Sequence, residues 1–383
     1  MDSTSKLRVG FVLDDGLDSP DGVQQYVLAM GEWLRKQGHE VLYLAGQTAR
    51  QDIAGVHSLS RNIGVRSNGN YLTIPLPSRR SHLNEFLRVH EIDVLHVQTP
   101  YSPLMGGRLV ELANKDTAVI GTFHILPNSW LISLGTRLLG LWCRRSLRRF
   151  DKMLSVSPAA AEFANKKFGV LSTVLPNVID YQRFHYAKPL SKYDDSTLTI
   201  LFLGRLVPRK GCLLLLEAVA EIVGKPGMPK FRVVICGKGP LQSKLERFVD
   251  EHDLGEVVEF VGFVSESDKP SYYASADISA FPSSGGESFG IVLLEAMASG
   301  KAAVLAGDNP GYHSVMHQRT ELLFDPKSKF ELAEKLEEQL LNKDARRNNA
   351  EWGANYTVDF DVNVAGSKLI DIYNEALRKR AKL

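Results

Sequence analysis

The feature that most constrains this chain is an alternation of short apolar runs with longer stretches whose apolar residues return at helical spacing. Residues 7–13 are apolar and are followed by a loop. Val23, Tyr26, Val27, Met30 and Leu34 then recur at helical intervals, and residues 41–44 form a second apolar run. Short runs bounded by turn residues mark strands, whereas an i, i+3, i+4, i+7 pattern marks an amphipathic helix, so the chain opens as a βαβ unit. Further runs at 92–97, 118–122 and 153–156 continue the pattern, and a second set at 198–203, 231–236, 257–261, 278–281 and 302–305 repeats it. Strands alternating with helices predict doubly wound parallel sheets of α/β class. The 383 residues suit two such domains. The polar stretch 188–197, which holds Pro189, reads as a linker or its edge, with a hinge near 179–195. Two sheets that face each other would create an inter-domain cleft at the carboxyl ends of their strands, so the residues just after strands are the ones to inspect.

Composition narrows the function classes. A formal charge of +2 gives no global electrostatic case for nucleic acid. The three cysteines, Cys143, Cys212 and Cys236, form no C-x-x-C pair, which argues against a disulfide framework or a structural zinc. The opening residues are polar and lead into an apolar run too short for a signal peptide, and no apolar stretch reaches the ~20 residues of a membrane span. A cytoplasmic protein is expected, one that touches a membrane at most.

Two motifs follow strands of the second half. The first, Gly204-Arg205-Leu206-Val207-Pro208-Arg209-Lys210-Gly211, precedes an apolar helix. Cations beside a helix N-terminus suit a diphosphate, which takes N–H donors, the helix dipole and charge-assisted bonds together. Arg205 and Lys210 are the candidates, and surface cations at a helix start are the alternative. The second runs from Gly285-Gly286-Glu287-Ser288-Phe289-Gly290-Ile291 through Glu295 to Gly300. Its glycines let the backbone approach a ligand, and its two acids stand eight residues apart on loop and helix, where Glu287 can meet sugar hydroxyls and Glu295 ribose hydroxyls. An amphipathic helix with one solvated acid is the alternative, but it explains neither the glycines nor the upstream acid.

At this point the chain resembles the retaining glycosyltransferase family 4, whose E-x-seven-E signature matches Glu287 and Glu295 without a gap. The resemblance extends along nearly the whole chain and looks closest to the phosphatidylinositol mannosyltransferases. It implies a GT-B fold of two facing Rossmann-like domains, with 1–180 on the acceptor side, 181–361 binding the nucleotide sugar, and a final helix at about 362–383 returning to the first domain. The family's Pro-Gly-Gly-Val-Gln loop reads here Pro20-Asp21-Gly22-Val23-Gln24; Gly22 would approach the donor and Gln24 the acceptor, while Asp21 departs from the pattern and puts the identity of the sugar in doubt. His124, after the run 118–122, matches the family's required histidine near the transferred sugar, although a lone histidine after a strand is more often structural. The turn Gly237-Lys238-Gly239-Pro240 resembles the loop near base and phosphates, so Gly237 and Gly239 join Glu287, Ser288, Phe289, Gly290, Ile291 and Glu295 as donor-side candidates. Asn68 resembles the acceptor-side loop.

The implied chemistry is retaining transfer of a hexose, with GDP-mannose as donor and a phosphatidylinositol-type or other polar lipid or polyol as acceptor. It would proceed by front-side displacement without a metal or other cofactor, with Arg205 and Lys210 stabilising the departing diphosphate. Alternatives remain open: a uridine-diphosphate sugar with another acceptor, a nucleotide-sugar epimerase, or a non-catalytic sugar-nucleotide-binding module. Gln242 breaks the dinucleotide fingerprint, Gly300-Lys301 fits no P-loop, and Asp359-Phe360-Asp361 reads as a solvated turn. The segment 129–150 carries apolar residues and then Arg144, Arg145, Arg148 and Arg149, a pattern that suits either an anionic membrane surface or a core helix with solvated arginines. Arg79 and Arg80 add a second basic spot. A peripheral position at the inner face of the cell membrane is the corresponding expectation.

Overall fold

The computed structural model describes residues 6–19, 21–67, 70–124 and 143–382. The chain divides into two compact units, one made of Met1–Val178 with Val362–Leu383 and the other of Ile179–Asp361.

In the first unit the strands are β1 (Arg8–Leu13), β2 (Glu40–Ala45), β3 (Val56–Ser58), β4 (Asn62–Ser67), β5 (Asn70–Pro75), β6 (Val94–Val97), β7 (Ala118–Phe123), β8 (Lys152–Ser155) and β9 (Thr173–Val174). Seven of them form a parallel sheet in the order β3-β2-β1-β6-β7-β8-β9. Strands buried on both faces need continuous apolar sequence, as in the fully buried AVIGTF of β7. The helix Gly22–Lys36 packs its Tyr26, Val27, Met30 and Leu34 face on the sheet. Beside it lies the last helix, Val362–Arg380, which adds Val362, Ala365, Leu369, Tyr373 and Ala376 to the same core. Gly366 makes this approach possible, because a Cβ there would stand 2.5 Å from the Trp33 ring. Trp33 Nε1 donates to Asn363 Oδ1 at 2.8 Å, and Arg380 Nε meets the buried Asp151 carboxylate at 2.8 Å.

The strands β4 and β5, absent from the reading of apolar runs, form an antiparallel pair in the register Asn62↔Pro75 to Ser67↔Asn70. The two residues between them, Asn68 and Gly69, lie outside the described residues, and with them the candidate Asn68. Pro20 and most of the segment 129–150 lie outside them as well.

The second unit holds β10 (Leu198–Leu203), β11 (Phe231–Cys236), β12 (Val258–Gly262), β13 (Ile278–Phe281), β14 (Ala303–Gly307) and β15 (Leu323–Phe324), in the parallel order β12-β11-β10-β13-β14-β15. Two readings change here. The stretch 188–197 is no free linker: Lys192 and Tyr193 both reach Glu259, at 2.8 and 2.9 Å, and Asp195 pairs with Arg232, so mutual charge pairing folds it onto this unit. Nor is Asp359-Phe360-Asp361 simply solvated, since Asp361 is buried and accepts the Tyr181 backbone N–H at 3.0 Å.

In each sheet the strand order reverses once, between β1 and β6 and between β10 and β13. At such a switch point neighbouring loops run to opposite sides and leave a crevice at the strand ends, where ligands bind.

Candidate functional site

The switch point of the second unit brings together the two motifs singled out in the sequence. The loop after β10 carries Arg209 and Lys210, and the loop after β13 carries Ser283 to Gly290. They touch at Gly211, where φ is +73° and a Cβ would meet the Pro282 carbonyl oxygen at 2.1 Å, so only glycine allows this approach. The Ser284 N–H donates to the Arg209 carbonyl at 2.8 Å and fixes the turn that aims the two cations. Asn309 supports the other side, donating to the Ser283 carbonyl at 2.9 Å while its Oδ1 caps the helix Pro310–Met316.

At the centre Glu287 Oε1 lies 2.6 Å from Arg209 and 2.9 Å from Lys210 Nζ, with Ser283 Oγ at 2.9 Å. The Glu287 side chain is 13% exposed. Burial pushes its carboxyl up, but Lys210 and then Arg209, with hydrogen bonds from Lys210 and Ser283, more than offset this and hold its pKa below the ordinary value. The result is a carboxylate flanked by two cations beside the start of the helix Ile291–Ala298, an arrangement able to hold a diphosphate and to accept bonds from sugar hydroxyls. Gly290, at φ +119°, lies at this helix start, where a Cβ would strike the Tyr312 ring at 2.6 Å. Phe289 is buried, and Ser288 and Ile291 are partly exposed beside it.

The other donor-side candidates fall in different surroundings. Glu295 is buried, accepts from Tyr273 Oη at 3.0 Å and lies 3.9 Å from Lys269 Nζ; burial raises its pKa despite Lys269. Its partners thus differ from those of Glu287. Arg205 is half-buried in the loop after β10. Gly237 and Gly239 have a packing reason of their own, because Cβ atoms there would meet the Gly204 and Leu206 carbonyl oxygens at 1.9 and 2.4 Å. Arg209 is the residue that sequence reasoning passed over. Its only signal was adjacency to Lys210 in the turn.

The switch point of the first unit gathers the loop after β1, the start of the helix Gly22–Lys36, and the ends of β6 and β7. Among the described residues a Cβ on Gly22 would meet nothing within 4 Å. Gln24 is buried and turned back, its Nε2 donating to the Gly16 carbonyl at 3.1 Å. His124, at the end of β7, is 3% exposed; its Nε2 lies 2.8 Å from Gln98 Oε1, and the Tyr26 ring meets it edge-on at 5.2 Å. Burial alone brings the His124 pKa down to about 3. His96, bonded to Tyr373 Oη and Thr122 Oγ1 at 2.7 Å each, is likewise lowered to about 3 by burial and by His124. Gln98, a polar residue directly after a strand at the switch point, was not identified from sequence.

Of the membrane-contact candidates, Arg79, Arg144 and Arg145 are exposed, and Arg80 is exposed and pairs with Glu111. Arg149 departs from the basic face read in the sequence. It turns inward to the Asn114 and Thr117 carbonyls at 2.7 and 2.9 Å. Among the described residues no helix is long and apolar enough to cross a membrane, and no group of three or more histidine, cysteine or acidic side chains is placed to hold a metal ion.

Two Rossmann-like parallel-sheet units, one with a Glu-Arg-Lys cluster at its switch point, define a glycosyltransferase of GT-B architecture. The Anabaena protein HepE, solved with UDP and glucose, superposes with a TM-score of 0.76 at 19% identity, covering 96% of this chain and 100% of that one. The model of glycosyl transferases group 1 matches residues 187–355, and that of Glycosyltransferase Family 4 matches residues 20–183. A phosphatidyl-myo-inositol mannosyltransferase of Mycolicibacterium smegmatis is 31% identical over 314 residues, covering 81% of this chain and 78% of the relative. A GDP-mannose-dependent monoacylated alpha-(1-6)-phosphatidylinositol monomannoside mannosyltransferase of Corynebacterium glutamicum is 27% identical over 375 residues, covering 92% and 93%. The chain belongs to glycosyltransferase family 4.

Proposed function

We propose that this glycosyltransferase moves mannose from GDP-mannose, with retention of anomeric configuration, to a hydroxyl of a phosphatidylinositol-type or other polar lipid. The observation that carries the reading is the Glu287 carboxylate set between Arg209 and Lys210 at a switch point, in a chain whose relatives are named for this transfer. In this reading the two cations, with Arg205 in the same loop, hold the diphosphate and stabilise the charge that grows on it as the glycosidic bond breaks. Preorganised donors of this kind lower the barrier by about 3–4 kcal/mol each. Glu287 accepts from hydroxyls of the hexose and orients its anomeric carbon. The departing diphosphate oxygen takes the acceptor proton on the same face, so no metal is required. His124 contributes hydrogen bonding to a substrate hydroxyl, and its buried, neutral ring suits that role. The exposed Arg79, Arg144 and Arg145 are available to an anionic lipid surface, which supports a peripheral position at the inner face of the membrane.

The test is release of nucleotide diphosphate from GDP-mannose and from UDP-glucose, with and without phosphatidylinositol vesicles and with EDTA, in wild type and Glu287→Ala. Vesicle-dependent release of GDP that survives EDTA and is lost in the variant is expected. Release from UDP-glucose alone, or release that ignores the vesicles, overturns the donor or the acceptor respectively.

A further inference from the structure

We infer that Gln98 is a positioning residue that fixes the tautomer of His124, so that the ring meets substrate with a hydrogen-bond acceptor, Nδ1, rather than a donor. The inference rests on the transfer reading above and deepens it.

The argument follows from which amide atom can do what. Gln98 directly follows β6, where its backbone N–H donates to the Val12 carbonyl at 3.0 Å. Its side-chain Nε2 lies 3.1 Å from the His96 carbonyl oxygen, an atom that can only accept, so the amide nitrogen must face it. That orientation leaves Oε1 pointing at His124 Nε2, 2.8 Å away. An amide oxygen also only accepts, and the imidazole nitrogen must therefore carry the hydrogen. A neutral imidazole has one N–H, so Nδ1 keeps its lone pair. Among the described residues no acidic side chain bonds to His124 that would favour a second proton: those around it include Gln98, the edge-on Tyr26 ring and His96, a ring as buried as its own.

The consequence is a definite polarity of recognition. A hydroxyl that approaches Nδ1 must donate its hydrogen, which raises the electron density on its oxygen and turns its lone pairs away from the protein. Loss of Gln98 frees both tautomers, and the wrong one would offer an N–H where the substrate needs an acceptor. The backbone carbonyl of His96 is the anchor of this arrangement, and the ring of that residue is held in turn by Tyr373 Oη.

The experiment uses the full-length protein with 15N-labelled histidine. The ring nitrogens of His124, assigned by their loss in His124→Phe, are recorded in wild type, Gln98→Met and Gln98→Glu, and each protein is assayed for turnover of GDP-mannose. Wild type is expected to show the Nε2–H tautomer alone. Gln98→Met, of similar length but unable to accept strongly, is expected to show mixed tautomers. Its kcat should fall between roughly tenfold, as when an orienting partner of a functional histidine is lost, and 10⁴-fold, as when the wrong tautomer is enforced, with KM for the nucleotide sugar nearly unchanged. Gln98→Glu keeps an acceptor oxygen toward Nε2 but, as a carboxylate, loses the donor to the His96 carbonyl and favours a second proton on the ring, so it is expected to show Nδ1–H as well and a rate no better than that of Gln98→Met.

An Nδ1–H or mixed tautomer in wild type overturns the inference without any variant having to fold. A tautomer that changes in Gln98→Met while kcat does not overturns the positioning role. A wild-type tautomer as stated, in a protein with no turnover of GDP-mannose on any acceptor, leaves the Gln98 geometry standing and sinks the transfer reading instead.

Discussion

Acidification is predicted to weaken the unit that holds His96 and His124 by about 4 kcal/mol between pH 7 and pH 5 through these two rings alone. Both rings have a folded pKa near 3, against 6.5 for a free imidazole. The folded state therefore refuses a proton that the unfolded chain accepts. Stability is full above 6.5 and is lost as the pH falls from there toward 3. The loss per ring approaches ~1.4 kcal/mol per pH unit, which gives about 2 kcal/mol each by pH 5. For a unit of this size the pair lowers the melting temperature by about 8–15 °C. The assay is scanning calorimetry at pH 7 and pH 5 at equal ionic strength, comparing wild type with His124→Asn. The variant has one titrating ring fewer, so its loss on acidification should be smaller by about 2 kcal/mol. His39 and His57, which burial also holds below their ordinary pKa, act equally in both proteins and cancel in the comparison. Equal losses in wild type and variant would mean that the His124 ring takes up its proton without unfolding, and the reasoning from burial would be wrong.

Two further outcomes follow from particular contacts. Glu287→Gln removes the charge between Arg209 and Lys210, so thermal unfolding at pH 7 should show a loss of about 2–4 kcal/mol, and added GDP should stabilise the variant more than wild type. Because the Glu287 carboxyl is depressed, the wild-type advantage is present above the ordinary value of 4.5 and closes as the pH falls through the folded value; an advantage that persists in acid would count against the ion cluster. Gly366→Ala would gain up to ~1 kcal/mol from helix propensity, but the Trp33 ring stands 2.5 Å from the new Cβ. Overpacking should win, with a net loss of about 1–2 kcal/mol in urea unfolding, and a stabilised variant would show that the two helices separate easily.

The sheets were legible because strands buried on both faces must be apolar throughout, and runs such as 118–122 and 231–236 admit few other readings. Glu287 and Lys210 were legible for a different reason, since glycines on either side of a charged residue after a strand imply a backbone held close to something. Arg209 was not, because the direction of a side chain in a short turn depends on contacts such as Ser284 N–H to the Arg209 carbonyl, which no local pattern encodes. Gln98 was hidden likewise: a polar residue at a strand end has meaning only once β6 and β7 are known to lie side by side. The β4–β5 pair escaped a reading based on apolar runs because its strands, Asn62–Ser67 and Asn70–Pro75, interleave polar and apolar residues. The stretch 188–197 looked like a linker because its charges, taken one at a time, read as solvated, whereas Lys192 pairs with Glu259 and Asp195 with Arg232.

The return of Val362–Arg380 to the first unit has a consequence for biosynthesis. The second unit is an insertion, and when Val178 leaves the ribosome the first unit still lacks the helix that covers Tyr26, Trp33 and His96. At 5–20 residues per second, the 179–361 insertion takes roughly 10–40 s to synthesise. The later-made unit can complete its core first, while the earlier one waits with an apolar groove open to chaperones and to neighbouring nascent chains. The compartment of His96 closes only once the helix that bears Tyr373 has been made.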